Sequence, residues 1–280
     1  MCRVGRSNPR RALPRSQSSA AVSSDGERWF LLNASPDVRD QLVCLPGTIP
    51  SGVRHVPLEG IVTTDAELDH TLGLVLLREA RALQLYATPA VRGVLERDSR
   101  ILPVTRSFAD VQVTEIMPLQ RSELRYRDGE ASRLWVTPFS VPAGPPRFAR
   151  SAEPGHTVGL ILEDENTGAT LAFVPGCGDL DDSLVSRLAD TDLVLFDGTF
   201  WSDDELLRLG ISDRRARQMD HLPVSGSGGS LERLTSLTRP QKVYTHINNT
   251  NPMLLEDSSE RAAVEQAGVA VGADGMSFTI

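Results

Sequence analysis

Three carboxylates and one imidazole lie within six consecutive positions of this chain, namely Asp65, Glu67, Asp69 and His70. They follow the apolar, strand-like run Gly60–Thr64 and precede an apolar helical pattern, which predicts a strand–loop–helix edge. Ligands bind at the carboxyl ends of strands in layered α/β proteins, and carboxylates with a histidine at such an edge can hold a metal ion. A helix cap with polar neighbours is the alternative interpretation of the Asp–His pair.

Three further candidate residues lie at the ends of other predicted elements. Asp197 ends the apolar strand Leu193–Phe196, and His246 follows the strand Gln241–Thr245. His221 lies between a helical segment and a Pro- and Gly-containing loop. Each would project from a sheet edge, so a layered fold could bring them together. The alternatives are that His221 terminates a helix and that Asp197 is a turn residue.

Together these groups predict one metal held by two or three imidazoles and one or two carboxylates. Two histidines and one carboxylate with open positions are typical of non-haem Fe(II) oxygen chemistry, whereas a richer histidine set favours zinc hydrolysis. Asn248 and Asn249 follow His246 and supply local hydrogen bonding, although asparagine is also common in turns. His55 and His156 are predicted bystanders.

The three cysteines, Cys2, Cys44 and Cys177, form an odd, sparse set. Such a set gives no disulfide framework and predicts a reducing compartment. Cys177, between two glycines, is either a reactive thiol or a small buried side chain.

Composition excludes several classes of function. A formal charge of −8 and a pI of about 5.2 argue against nucleic acid as the main partner. The apolar stretches are too short to span a bilayer, and no secretory signal is present. The basic N-terminus, with no acid before Asp25, is typical of a transit peptide or of a solvated arm.

The elements that position these residues follow from periodicity and turn signals. Strands Gln17–Ser23 and Arg28–Leu32 form a predicted hairpin, Ser35 and Pro36 start a helix that runs to about Cys44, and a helix is predicted over His70–Ala82. The other predicted strands are Leu83–Ala87, Val111–Ile116, Leu134–Ser140, Val158–Glu163 and Leu171–Val174. The other predicted helices are Pro89–Arg97, Leu180–Ala189, Asp203–Leu209, Ser230–Leu237 and Glu260–Ala267. Hairpins in each half with interleaved helices predict an αββα sandwich.

Several segments resemble one family. Asp65 and Glu67 stand where the metallo-β-lactamase signature H-x-H-x-D-H has histidines, and Asp69-His70 keep its final pair. The run His-Ile-Asn-Asn-Thr-Asn-Pro from His246, with Asp197-Gly198-Thr199-Phe200-Trp201, is similar to the coenzyme PQQ synthesis protein B family of the metallo-β-lactamase superfamily. The resemblance extends from about Gln17 to Ile280, and it implies a four-layer αββα fold.

The resemblance also implies a function. The family is expected to act in the biosynthesis of pyrroloquinoline quinone (PQQ) as an iron-dependent hydroxylase of the tyrosine ring of a Glu–Tyr-derived precursor. Carriage of PQQ or its precursor toward the periplasm is the alternative, and a zinc-dependent hydrolase is the second alternative. The implied partners are the precursor, other pathway proteins and a second copy of the chain, and the implied location is the cytoplasm.

By position, the resemblance makes Asp69, His70 and His246 catalytic metal ligands, with His221 and Asp197 as ligands or close partners. Asp65 and Glu67 would line the same pocket. Asn248 and Asn249 would orient the ligand or His246. Iron is the expected metal and zinc the alternative.

One departure from the family concerns the N-terminus. The family begins with a strand, a glycine-rich loop and a C-N-C-x-x-C zinc motif, whereas this chain starts about where the last cysteine of that motif would fall. Cys2 alone cannot supply the four ligands of a structural zinc, so no structural zinc site is expected. Residues 1–16 are therefore predicted to be a remnant of that region, and residues 17–280 a single domain without the first strand. A late start site and a truncated copy are both open.

Overall fold

The computed structural model describes residues 7–8, 10–45 and 58–280. Cys2 and His55 lie outside the described residues. The chain divides into two compact units. The N-terminal unit comprises Gln17–Ser140 and Gly144–Ala169, and the C-terminal unit comprises the described part of Met1–Ser16 with Val141–Ala143 and Thr170–Ile280. The predicted boundary between a 1–16 remnant and a 17–280 domain stays a prediction.

A five-stranded sheet forms the centre of the N-terminal unit, in the order β1-β2-β3-β4-β5. Its strands are β1 (Ala20–Val22), β2 (Phe30–Leu32), β3 (Gly60–Val62), β4 (Ala82–Ala87) and β5 (Asp110–Glu115). β1 pairs antiparallel with β2, and the remaining neighbours are parallel. The predicted hairpin of β1 and β2 is confirmed, with strands shorter than expected. Because β2 to β5 are parallel, their carboxyl ends lie on one edge.

The same unit contains three antiparallel strands, β6 (Ser122–Arg125), β7 (Ala131–Ser140) and β8 (Val158–Asp164). β7 and β8 correspond to predicted strands, whereas β6 was not predicted. Leu124, the buried residue of β6, is flanked by polar residues, so four residues gave too short an alternation to recognise.

Short helices cover the five-stranded sheet of the N-terminal unit. They are α1 (Val38–Val43), α2 (Leu68–Thr71), α3 (Gly73–Leu76), α4 (Pro89–Gly93), which continues as a π turn over Val94–Asp98, and α5 (Ile101–Arg106). Their apolar residues pack with those of the strands in one core, in which Val38, Leu74 and Leu102 are buried beside Ile61 and Leu85. α5 was not predicted.

Two helix boundaries in the N-terminal unit were predicted wrongly. Ser35 does not cap α1, because the backbone N–H of Asp37 donates to the Ser35 hydroxyl in a turn and the helix begins only at Val38. The predicted helix His70–Ala82 is instead two short helices, which begin at Leu68 and end at Leu76.

The break between α2 and α3 has a tertiary cause at Gly73. Its backbone N–H donates to the carbonyl of Ala34 at 2.9 Å. A Cβ at Gly73 would lie 2.4 Å from the carbonyl oxygen of Ser35, so no other residue fits without displacing that backbone. The contact with residues 34 and 35, and not the helical pattern, therefore decides where the two helices meet.

The C-terminal unit contains four parallel strands, β9 (Thr170–Val174), β10 (Leu193–Asp197), β11 (Gln241–Thr245) and β12 (Ala270–Val271). Its α-helices are α6 (Asp182–Ala189), α7 (Glu205–Arg208), α8 (Ser230–Thr235) and α9 (Ser259–Gln266). The predicted strand Gln241–Thr245 is confirmed residue for residue. The predicted helix from Leu180 begins at Asp182 instead, because the Asp181 side chain accepts the N–H of Leu184 as an N-cap.

No helix within the described residues is long and apolar enough to cross a membrane. The predicted cytoplasmic location stays a prediction.

Candidate metal centre

In the N-terminal unit a buried aspartate–histidine pair follows β3. The Nδ1 atom of His70 lies 2.8 Å from both carboxylate oxygens of Asp65, and the two side chains are 3% and 4% exposed. The Thr64 hydroxyl donates to Asp65 at 2.8 Å, and the backbone N–H of Glu67 donates at 2.9 Å. A metal could reach the His70 imidazole only through Nε2, because Nδ1 is held by the carboxylate.

These contacts determine the charge on Asp65. Burial alone would raise the pKa of its carboxyl group. The charge and hydrogen bond of His70, with the donors from Glu67 and Thr64, outweigh burial and lower the pKa below its ordinary value. Asp65 is therefore a carboxylate at neutral pH, and it keeps the Nδ1 proton on His70.

Asn33, directly after β2, supports the pair and was not among the predicted site residues. Its backbone lies in the left-handed region, with φ at 62°. Its side-chain amide donates to the Thr64 hydroxyl at 2.9 Å, and its side-chain oxygen accepts the Thr64 N–H at 2.9 Å. Asparagine is one of the few residues that adopts this backbone conformation readily, so its position directly after an apolar strand was the available signal.

Glu67 and Asp69 line a cavity of about 460 Å³ in the same unit. Asp69 also has a carboxylate oxygen within 4.8 Å of a ring nitrogen of His70. Partial burial, with the negative charges of Asp65 and Asp69, raises the pKa of Glu67. Asp65 and His70 are therefore buried, Glu67 and Asp69 line the cavity, and Asp69 lies close to both the cavity and His70.

In the C-terminal unit three predicted site residues come together. Asp197 ends β10 and is fully buried, while the side chains of His221 and His246 are 19% and 15% exposed. The Nδ1 atom of His221 lies 2.6 Å from one carboxylate oxygen, and that of His246 lies 3.6 Å from the other. The two imidazoles stack with their ring centroids 5.4 Å apart. One potential ligand atom from each residue lies within 4.8 Å of the others.

Thr199 completes this cluster and was missed as a functional residue, although it lies only two positions after Asp197. Its hydroxyl donates to Asp197 at 2.5 Å and lies 2.7 Å from Nδ1 of His246. Since a hydroxyl donates one proton, His246 is best paired as the Nδ1–H donor to this oxygen. That tautomer directs the lone pair of Nε2 away from Thr199, as in metal-binding histidines.

The backbone around the cluster places His246 in an uncommon conformation and supplies a hydrogen-bond donor to Asp197. His246 adopts the left-handed region with φ at 52°, a conformation that residues other than glycine adopt mainly where surrounding contacts hold them. The backbone N–H of Cys177 donates to Asp197 at 3.2 Å. Burial would raise the pKa of Asp197, but the charges and hydrogen bonds of His221 and His246 outweigh it and hold the pKa well below its ordinary range.

One carboxylate and two imidazoles are a donor set that fits zinc or iron. The hydrogen bonds to Asp197 and Thr199 use Nδ1 of each histidine, which makes Nε2 the ring atom suited to a metal. The chemistry of the donor set therefore fits a metal ion.

Asn248 and Asn249, the other predicted residues near His246, make no side-chain hydrogen bond with Asp197, His221 or His246 within the described residues. The Asn248 backbone N–H donates to the carbonyl of Thr199, and its side chain donates to the Thr250 hydroxyl. Asn249 is exposed. The roles predicted for both, and the assignment of Asp69, His70 and His246 to one metal, stay predictions. Asn251 was missed, and its side chain donates to the carbonyl of Gly198 at 2.9 Å.

Cys177 is buried, and burial raises the pKa of its thiol to about 12. Of the two interpretations left open by the sequence, the structure favours the small buried side chain.

Known proteins with similar sequences identify the family of this chain. Residues 28–247 match the Beta-lactamase superfamily domain. The chain is 41% identical over 287 residues to "Coenzyme PQQ synthesis protein B" of Methylobacterium nodulans, covering 100% of this chain and 93% of the relative. It is 40% identical to the protein of the same name from Gluconobacter oxydans, covering 96% and 88%.

A solved structure gives the same result. The crystal structure of Zn(2+)-bound PqqB from Methylobacterium extorquens matches with a TM-score of 0.88 at 37% identity, covering 100% of this chain and 92% of that one. The predicted fold class, a metallo-β-lactamase fold with mixed α/β sheets, is confirmed.

Proposed function

Because the chain belongs to the coenzyme PQQ synthesis protein B family of the β-lactamase superfamily, we propose that it carries out a metal-dependent step of PQQ biosynthesis. A role in PQQ synthesis follows from the names of relatives that match it over nearly their full length. The cluster of Asp197, His221 and His246 is the single observation that carries the metal dependence. The zinc in the structure from Methylobacterium extorquens supports a metal cofactor.

The reaction proposed is hydroxylation of the tyrosine ring of a Glu–Tyr-derived precursor. One oxygen atom of dioxygen replaces a ring hydrogen as a hydroxyl group, and the other leaves as water. An external reductant supplies the electrons and protons that complete the balance. Two histidines and one carboxylate, as predicted for Asp69, His70 and His246, would favour iron over zinc for this chemistry, and a bound iron would supply the activation of dioxygen.

The residues of the chain have separate tasks in this proposal. Asp197 accepts the Nδ1 proton of His221 and so fixes the ring with Nε2 available for a metal. Thr199 does the same for His246 and is itself held by its bond to Asp197. Asp65 orients His70 in the same way in the other unit. These bonds hold the imidazoles in position before any metal binds, which lowers the cost of ordering them.

Metal content of purified variants tests the proposal. The chain is purified without oxygen after supplementation with iron and zinc, and its metal is measured by mass spectrometry beside His221→Ala, His246→Ala and His70→Ala. About one iron per chain, lost in the first two variants, is the expected result. His156→Gln is the matched control, because His156 is buried and is not a predicted ligand, and it is expected to retain the metal.

Activity then separates the reactions. Iron-loaded protein is given a glutamyl-tyrosine peptide, dioxygen and ascorbate, and the product is examined for one added oxygen atom on the ring. Zinc-loaded protein is expected to add none. Oxygen insertion that persists in His246→Ala, or metal content unchanged in both C-terminal variants, contradicts the proposal. Tight binding of PQQ to metal-free protein, without any turnover, would instead support the carrier.

A further inference from the structure

The cavity in the N-terminal unit carries charged side chains that the cluster of Asp197, His221 and His246 does not include. We call it the charged groove. Its lining combines apolar side chains with both signs of charge and includes Glu67, Leu68, Asp69, Leu72, Arg147 and Phe148. Its volume of about 460 Å³ falls within the range of about 300–1,000 Å³ that is typical of small-molecule sites.

The walls of the groove are held in place by contacts outside it. Phe148 packs against the apolar core of the unit. Gln17, on the opposite wall, donates its backbone N–H to Asp37 at 2.8 Å, and its carbonyl accepts from the Gln41 side chain at 2.7 Å. The groove therefore exists without a ligand, and binding has little ordering cost.

Arg147 has no structural task that explains its place on the rim. Within the described residues its guanidinium makes no hydrogen bond or ion pair, and its positive charge acts on Glu67 by lowering the pKa of that carboxyl group. A guanidinium binds a carboxylate through two parallel hydrogen bonds. Glu67 supplies the complementary group, a carboxylate suited to an ammonium ion.

We propose that the charged groove binds an amphoteric aromatic amino acid unit. Arg147 receives its carboxylate and Glu67 its ammonium group, while the ring lies against Phe148, Leu68 and Leu72. This proposal rests on the proposed function and names the part of the precursor that the protein recognises. Asp69 also lines the groove, so a ligand bound there lies beside a residue predicted to bind the metal.

Binding to metal-free protein tests the proposal without any turnover. The chain is treated with a chelator and titrated calorimetrically with three probes: L-tyrosine, tyramine, which lacks the carboxylate, and 3-(4-hydroxyphenyl)propionate, which lacks the amine. Each analogue lacks one charge-assisted contact, so it is expected to bind about tenfold or more weakly than L-tyrosine.

Variants assign the two contacts. Arg147→Gln is expected to abolish the preference for L-tyrosine over tyramine, and Glu67→Gln the preference over the propionate. Arg150→Gln is the matched control, because Arg150 lies three positions further along, is 80% exposed and pairs with Asp98 outside the groove. Both preferences are expected to survive in it. Circular dichroism verifies that every variant is folded.

Several outcomes would overturn the proposal: no binding of L-tyrosine, equal affinity for all three probes, or equal losses in Arg147→Gln and Arg150→Gln. Its failure is distinct from failure of the proposed function. Metal binding and ring hydroxylation without probe discrimination would remove only the groove proposal. Probe discrimination in a chain that binds no metal would remove only the proposed function.

Discussion

A buried aspartate holds a histidine through Nδ1 in each unit, but the two arrangements are assembled differently. Asp65 and His70 are five positions apart and belong to one strand–loop–helix connection. Asp197 takes its histidines from 24 and 49 positions further along the chain. Asp65 serves one nearly inaccessible imidazole, whereas Asp197 lies between two partly exposed ones. A buried aspartate bonded to Nδ1 thus holds only the His70 ring in the N-terminal unit, whereas in the C-terminal unit it organises two imidazoles that could bind a metal.

The largest difference expected from this comparison concerns the thiol beside Asp197. If water is excluded from the surroundings of Cys177 as it is from the Asp65–His70 pair, the Cys177 thiol should keep its pKa of about 12. An ordinary thiol pKa is near 8.5, so Cys177 should alkylate about a thousandfold more slowly than exposed Cys44 at pH 7.5. Peptide mass spectrometry after timed iodoacetamide labelling measures the alkylation rates of both cysteines. Comparable rates would show that water reaches Cys177 beside the C-terminal cluster.

Removing each aspartate is the next largest perturbation. Asp197→Ala leaves buried donors from His221, Thr199 and Cys177 unsatisfied, so we expect the free energy of unfolding to fall by about 3–5 kcal/mol. The backbone N–H of Thr199 also donates to Asp197, which makes four donors. Asp65→Ala leaves three, from His70, Thr64 and Glu67, and a loss of about 2–3 kcal/mol is expected. Urea unfolding in the presence of a chelator gives both values. A larger loss for Asp65→Ala would show that the number of donors does not determine the cost.

Gly73 tests how the N-terminal pair is positioned. A methyl group there would collide with the carbonyls of Ala34 and Ser35 and displace the helices that carry and follow His70. Gly73→Ala should therefore cost about 1–3 kcal/mol of unfolding free energy. Gly176→Ala is the control from the C-terminal unit, since a Cβ at Gly176 meets no atom within 4 Å, and its effect should stay within about 0.5 kcal/mol. Equal effects would show that the close approach at Gly73 relaxes.

Asp25 is a useful contrast to Asp65 and Asp197, because its pKa is also lowered although no histidine contacts it. Burial raises the pKa of Asp25, but the backbone N–H groups of Arg28 and Glu27 and the Arg28 side chain lower it well below its ordinary value. The pKa of Asp25 in the folded state is below its unfolded value of about 3.9. The Asp25 carboxylate therefore stabilises the folded state fully above that pH, and this stabilisation is lost as the pH falls through the folded pKa.

The expected effect of Asp25→Asn is the smallest, about 1 kcal/mol or less, because the site is partly exposed. The difference in thermal midpoint between the unaltered chain and the variant should be present at pH 7 and shrink at pH 3. A difference that grows on acidification would contradict the assigned direction of the pKa change.

The predictions that succeeded rest on short-range patterns. The strand Gln241–Thr245 and the hairpin of β1 and β2 follow from alternation and turn residues, which act over a few positions. The errors arose where distant backbone intervened, as at Gly73, where residues 34 and 35 interrupt a convincing helical pattern. Asn33 and Thr199 were missed because each acts only through partners that the fold supplies.

The sequence by itself determined the family, the order of most elements and the acidic stretch from Asp65 to His70, since each is written in contiguous residues, but it paired His70 with Asp69 and not with Asp65. It also identified Asp197, His221 and His246 as candidates at strand and loop ends. Only the tertiary structure decided that these three meet, that Thr199 and Asp197 set the orientation of the imidazoles, and that Arg147 and Glu67 line one cavity. The physical reason is that such contacts depend on which strand ends and loops adjoin after folding, and side-chain periodicity along a single element carries no information about that.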